Sequence, residues 1–207
     1  MQVYALVDLT AEHRLAALVE GCRAVAVGYP ITLVEDRWLH ITLEQITDQP
    51  GSAISAAERR ELGAALREKL AGFPAFSIIA GSPIANKAGI LLDLHPDDRL
   101  DALHHTVRAA VHEVRGARST SYPVLPCHLT VGYAAAEADS DAVQSKLRRG
   151  VRPGHAPLRI GSVHLVEVSP DFDGKQIRWI QAEAEAISLA PGPAGGTGSS
   201  VCGSRLA

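Results

Sequence analysis

Two tripeptides, His40-Ile41-Thr42 and His128-Leu129-Thr130, hold the residue types best suited to chemistry in this chain. On an extended strand, residues i and i+2 share a face. Each imidazole is therefore paired with a hydroxyl, while Leu39, Ile41 and Leu43 in one motif, and Cys127, Leu129 and Val131 in the other, point the opposite way. Neutral imidazole takes a proton from a nucleophile, and protonated imidazole returns one to a leaving oxygen. Threonine hydroxyls donate hydrogen bonds to non-bridging oxygens and stabilise the charge that develops there. Two histidines and two threonines around one point would suit a tetrahedral phosphate without a metal. A single such tripeptide is weak evidence, because a lone strand histidine is more often structural. Two in equivalent settings weigh far more.

The elements that must position these groups follow from periodicity. Residues 3–9 predict a buried strand, followed by a helix capped by Thr10 with Leu15, Leu18, Val19 and Cys22 at helical spacing. Residues 38–43 predict the strand of the first motif, and 49–52 a loop. Ser55 and Glu58 form a capping box for a second helix, with Leu62, Ala65, Leu66 and Leu70 on its core face and Gly72 at its end. Strands are expected at 75–80 and 89–95, joined by a connection over 81–88. A third helix spans 97–115, with Leu100, Leu103, Val107, Ala110, Val111 and Val114 on one stripe. Residues 122–126 lead into the strand of the second motif at 127–133; a helix at 139–149 and strands at 160–168 and 176–187 follow.

A weak repeat runs through this order. Leu6-Val7-Asp8-Leu9 precedes a helix and then the first motif, and Leu91-Leu92-Asp93-Leu94 precedes a helix and then the second. Two such halves related by a pseudo-twofold would bring both motifs into one cleft. Residues 1–189 are read as one domain, and the Gly/Pro/Ser-rich stretch 190–207 as a disordered tail that cannot bury a core.

Composition sets the outer bounds. Aromatic residues are only 4% of the 207, so aliphatic side chains must fill the interior. A net charge of -3 argues against gripping long nucleic acid by bulk electrostatics, but leaves room for a pocket that takes one terminal nucleotide. Cys22, Cys127 and Cys202 are scattered, which suggests neither a disulfide framework nor a zinc knuckle. With no basic leader and no long apolar run, a soluble, cytoplasmic monomer without membrane contact is expected.

Other residues are weighed against plainer roles. His104, His105 and His112 on the third helix lack close thiol or carboxylate partners, so they are read as polar residues flanking the core, not as a metal face. Cys127 should face the core, away from His128. Lys146, Arg148, Arg149, Arg152 and His155 would either steer an anion or form a solvated helix end. Asn86 and Lys87 read as turn residues. Tyr4, Tyr133, Arg178 and Trp179 are candidate substrate-binding residues by strand position, with core packing as the alternative for the aromatics.

Both His-x-Thr motifs, and the order of elements between them, resemble the 2H phosphoesterase superfamily over residues 3–187, in particular the bacterial 2′-5′ RNA ligases or RNA 2′,3′-cyclic phosphodiesterases. The resemblance implies a bilobal α+β fold in which two pseudo-symmetric antiparallel sheets flank a central cleft, with helices outside. It implies that His40 and His128 are the catalytic pair and that Thr42 and Thr130 bind phosphate, with no metal and no cofactor. The expected partner is an RNA 3′ end or a small nucleotide, and the expected reaction is hydrolysis of a 2′,3′-cyclic phosphate or handling of a 2′-5′ phosphodiester. Where many RNA-acting members continue the first motif with a basic-aromatic-Leu-Gly run, this chain has Leu43-Glu44-Gln45-Ile46. Two other readings stay open: a nucleotide- or RNA-end-binding module without turnover, and a small-molecule hydrolase or cyclase on the same scaffold.

Overall fold

Alternating aliphatic stretches form the strands, and the 3.6-residue stripes form the helices, of a computed structural model that describes residues 1–121, 126–171, 173–180 and 184–192. The first motif lies in a strand–helix–strand run: β1 (Gln2–Leu6), α1 (His13–Ala26), β2 (Ile31–Leu33) and β3 (His40–Gln45). α2 (Ala56–Leu70) leads to the hairpin β4 (Phe76–Asn86) and β5 (Gly89–His95). α3 (Asp97–Arg115), β6 (His128–Ala134) and α4 (Ser140–Gly150) carry and follow the second motif. The chain closes with β7 (Ala156–Ile160), β8 (Ser162–Val166), β9 (Val168–Asp171), β10 (Gln176–Trp179) and β11 (Glu185–Ser188).

The main sheet runs β11-β8-β1-β3-β6-β5-β4-β7, with β2 also paired to β6, while β9 and β10 form a separate hairpin. All of these pairings are antiparallel. The halves β11-β8-β1-β3 and β6-β5-β4-β7 meet at one registered pair, Ile41 opposite Leu129. Counting outward from that seam, β3 matches β6 and β1 matches β5, the pseudo-symmetry that the repeat predicts. Helix packing knits the halves together. α1 follows β1 but packs on α4, β6 and β7, whereas α3 follows β5 but packs on α2 and β3. Leu15, Leu18 and Val19 on α1 and Leu103, Val107 and Val111 on α3 are buried in the resulting core.

Several expectations are corrected. β1 stops at Leu6, and Thr10 does not cap a helix. Its amide and hydroxyl both donate to the Asp8 carboxylate, at 2.8 and 2.6 Å, and α1 starts only at His13. The Ser55–Glu58 capping box forms as expected. The connection expected over 81–88 is mostly strand, because β4 continues to Asn86. Pro83 is tolerated there since β7 pairs with β4 only as far as Ala80, which leaves an edge beyond it. Gln144 of α4 covers that edge: its side chain accepts from the Ala85 amide at 2.7 Å and donates to the Pro83 carbonyl at 3.1 Å. The turn at Lys87-Ala88 requires Gly89, whose φ is +136° and where a Cβ would lie 2.0 Å from the Gly132 carbonyl oxygen. β2 and β7 are additional strands, and the strand expected over 176–187 divides into β10 and β11, which belong to different sheets. Ala190 is still paired, exchanging hydrogen bonds with Phe73 and Ala75, so the chain is held past residue 189. The expected tail beyond 192, and residues 122–125 of the lead-in to the second motif, lie outside the described residues. Among the described residues no helix is long and apolar enough to cross a membrane.

Candidate active site

The two histidines are held by the same local device. A 3-10 turn over Asp36–Trp38 delivers the chain into β3, and the Trp38 carbonyl accepts a hydrogen bond from His40 Nδ1 at 2.7 Å. In β6 the Pro126 carbonyl accepts from His128 Nδ1 at 3.2 Å. A carbonyl can only accept, so both rings carry a proton on Nδ1 and leave Nε2 for chemistry. The seam pair Ile41–Leu129 sits at the centre of both motifs. In that antiparallel register His40 lies across from Thr130, and His128 across from Thr42. All four line one cavity of about 180 Å³, together with Gln45, His104, Tyr133 and Ile177.

Surroundings separate the two rings. His40 is 7% exposed, stacks on Tyr4 at a centroid distance of 4.1 Å, and meets the edge of Trp179 at 5.3 Å. Burial pushes its pKa down to about 4, opposed by the hydrogen bond to Trp38 and reinforced by the nearby His128. His128 is exposed.

A register shift between β1 and β3 places the next residues. Strict alternation after Thr42 would aim Glu44 into the cavity. The bulge opposite Val3 and Tyr4 inserts Leu43 and turns Glu44 toward α3, leaving Gln45 at the cavity wall. Glu44 is fully buried and accepts from Arg108 Nε at 2.5 Å and Nη2 at 3.2 Å. His104 Nε2 stands 3.6 Å from the same carboxylate, and burial lowers the His104 pKa against the pull of Glu44. His104 could have been found in the sequence, because with Leu100, Val107 and Val111 it continues the core stripe. Gln45 could not, since it reaches the cavity only through the bulge.

The remaining candidates are distributed as follows. Tyr133 lines the cavity; burial raises its phenol pKa, and a hydrogen bond with Thr130 opposes that shift. Tyr4 and Trp179 are corrected from substrate contacts to the packing behind His40. Tyr4 is fully buried on β1 with its hydroxyl donating to Gln2 Oε1, and Trp179 is 3% exposed. Arg178 is exposed and reaches Asp171 at 3.2 Å and Gln176 at 2.9 Å within the β9–β10 hairpin. Cys127 is buried, and burial pushes its thiol pKa up to about 11. The three α3 histidines diverge: His104 is buried, His105 is exposed, and His112 bonds Thr120 at 2.7 Å. No group of three metal-binding side chains occurs among the described residues. In the basic cluster, Lys146 sits over the Tyr29 ring, while Arg149 and Arg152 bond carbonyls at the end of α4.

A family model described as the 2′-5′ RNA ligase superfamily matches residues 11–171, a span that includes both motifs. TT0787 of Thermus thermophilus is a similar solved structure, with a TM-score of 0.64 at 17% identity over 92% of this chain and 97% of that one. E. coli LigT complexed with 3′-AMP has a TM-score of 0.62 at 15% identity, over 91% of this chain and 96% of that one. A structure described as a phosphoesterase has a TM-score of 0.59 at 14% identity, over 91% and 96%. No curated protein matches the chain. At these identities the structures speak for the fold, an α+β arrangement of curled antiparallel strands with helices outside. The family match covers most of the chain, and by it the chain belongs to the 2′-5′ RNA ligase superfamily of 2H phosphoesterases.

Proposed function

We propose that the protein is a metal-independent phosphodiesterase that acts on a 2′,3′-cyclic phosphate or a 2′-5′ phosphodiester, at an RNA end or on a nucleotide. The observation that carries this reading is the ring of alternating imidazoles and hydroxyls around one cavity, in which a backbone carbonyl fixes each Nδ1 and leaves each Nε2 free. His40, kept neutral by burial, takes a proton from water at Nε2 as the water oxygen bonds to phosphorus. The bond from phosphorus to one ribose oxygen breaks in line, and His128, entering the step as the imidazolium, hands that oxygen its Nε2 proton while Nδ1–H stays on the Pro126 carbonyl. Thr42 and Thr130 donate hydrogen bonds to the non-bridging oxygens. The products are a phosphomonoester and a free ribose hydroxyl, and proton exchange with solvent resets both rings. With a ribose hydroxyl in place of water, the same groups serve the ligation direction.

The test is turnover of 2′,3′-cyclic mononucleotides in EDTA by the parent and by His40→Ala and His128→Ala. Each replacement is expected to cost on the order of 10²–10⁴ in kcat, with far-UV circular dichroism unchanged. Parent-like turnover by both variants would overturn the mechanism.

A further inference from the structure

The basic run that follows the second motif plays no part in the reaction. Residues 146–155 hold Lys146, Arg148, Arg149, Arg152 and His155 with no acid among them, in a chain whose net charge is -3. Arg148 and Arg152, one helical turn apart, line a cavity of about 360 Å³ together with Ser82 and His155. Pro83, Leu147 and Val151, all buried, give it an apolar floor. No carboxylate lines this cavity, and it shares no residue with the two-histidine cavity. It lies between α4 and β4, and β5 separates β4 from the motif on β6.

The polar groups around it are held in place. β4 passes the segment before β7 so closely that a Cβ on Gly81, whose φ is +113°, would lie 2.3 Å from the Gly154 carbonyl oxygen. Beside that contact Ser82 Oγ and His155 Nε2 are 3.1 Å apart. With Nε2 donating, the serine hydroxyl keeps its own proton to give. On the α4 side, Arg152 Nη1 donates to the carbonyls of Arg148 at 3.2 Å and Val151 at 2.6 Å. That contact offsets the negative end of the helix and leaves Nε and Nη2 for a ligand. Arg148 is exposed, and its guanidinium has no hydrogen-bond or ion-pair partner among the described residues. A serine poised for attack needs an oriented base. Among the described residues the one imidazole beside a carboxylate is His104, and the ring next to His155 is His95, edge-on at 6.2 Å. The serine–histidine pair therefore suits binding, not bond-making.

We propose that this cavity is a second anion site, separate from the cleft, that takes the phosphate of a small phosphomonoester. Two guanidinium groups match the two charges of a monoester dianion and can fork onto its oxygens. Ser82 adds a neutral donor. A phosphodiester of a nucleic acid backbone carries one charge and would leave one guanidinium unanswered. Pro83, Leu147 and Val151 receive the organic part of the ligand. The volume falls within the range of about 300–1,000 Å³ that small-molecule sites occupy. The site stands whether or not the cleft is a phosphodiesterase, since the two share no residue.

The experiment is an amide NMR titration of the full chain with inorganic phosphate, phenyl phosphate, and sodium chloride at matched ionic strength, on the parent, Arg148→Gln and Ser82→Ala. Amides of Ser82 and of residues 148–155 are expected to follow one saturating curve with either phosphate and to stay still with chloride. Amides of residues 40–45 and 128–133 report the cleft on a curve of their own. Arg148→Gln should weaken the first curve about tenfold, and Ser82→Ala about threefold, with the cleft curve unmoved in both. Arg148 makes no contact that its replacement would break, so folding is not at stake. Tighter binding of phenyl phosphate assigns the site to an organic monoester, and equal affinity to inorganic phosphate. Shifts reproduced by chloride, or a curve unchanged in Arg148→Gln, would overturn the site. A stronger response to pentauridylate without terminal phosphates would overturn it too, by making the patch a contact for nucleic acid backbone.

Discussion

His40 and His128 share a motif and a tether, yet they stand in different surroundings. Tyr4 and Trp179 remove water from the first ring, so its neutral form persists to about pH 4. If His40 is the proton acceptor, the acid limb of kcat/KM falls near pH 4, well below the ordinary histidine value of about 6.5. A pH–rate profile of the parent checks this, and an acid limb near 6.5 would count against it. Stability carries the same signature. Between about pH 6.5 and 4 the unfolded chain takes up a proton at this position that the folded chain refuses, so folding stability is lost as pH falls through that window. The loss is on the order of 3 kcal/mol for His40. Burial lowers His104 and His164 in the same direction and adds to it. Thermal melts of the parent and His40→Asn from pH 7 to 4 should converge as the pH drops.

At the scale of elements, a single bulge in β3 decides what the first motif presents. It sends Glu44 to the helix layer, so the departure from the basic-aromatic run noted in the sequence becomes a buried ion pair with Arg108 and leaves no acid in the cavity. Removing the arginine takes away the charged partner of the buried Glu44 carboxylate and leaves the Gln45 amide and His104 beside it. Arg108→Met is therefore expected to cost about 3–5 kcal/mol, measured by urea unfolding, and Arg108→Met/Glu44→Met to recover most of it. A loss below about 1 kcal/mol in the single variant would show that Glu44 finds compensation elsewhere. The Ser55 capping box of α2 and the stripe of α3 were legible beforehand, because caps and periodicity act within a few residues. Thr10 misled for the same reason: a local partner, Asp8, took its hydroxyl before any helix could.

At the scale of the molecule, one registered pair joins the two halves of the sheet, and the helices make the connection firm. α1 crosses from β1 to pack on β6 and β7, and α3 crosses from β5 to pack on β3, so neither half keeps its core without the other. Unfolding is expected to be a single cooperative transition. Trp38 and Trp179 report the side of β3, while far-UV circular dichroism reports both halves. Coincident urea curves from the two probes are the expected result; separated midpoints would show that the halves unfold independently.

The two His-x-Thr motifs, the α+β class, the repeat and the long helices were readable because each rests on spacing within a single element or on the order of elements along the chain. The register of Ile41 on Leu129, which brings the motifs to one cavity, pairs residues far apart in sequence and belongs to the assembled sheet. The same holds for Tyr4 and Trp179. A strand position reveals the two faces of a side chain, but what covers each face depends on neighbours contributed by distant segments. Here those neighbours closed over both rings, and their aromatic surface sets the protonation of His40 where open cleft would have left them for substrate.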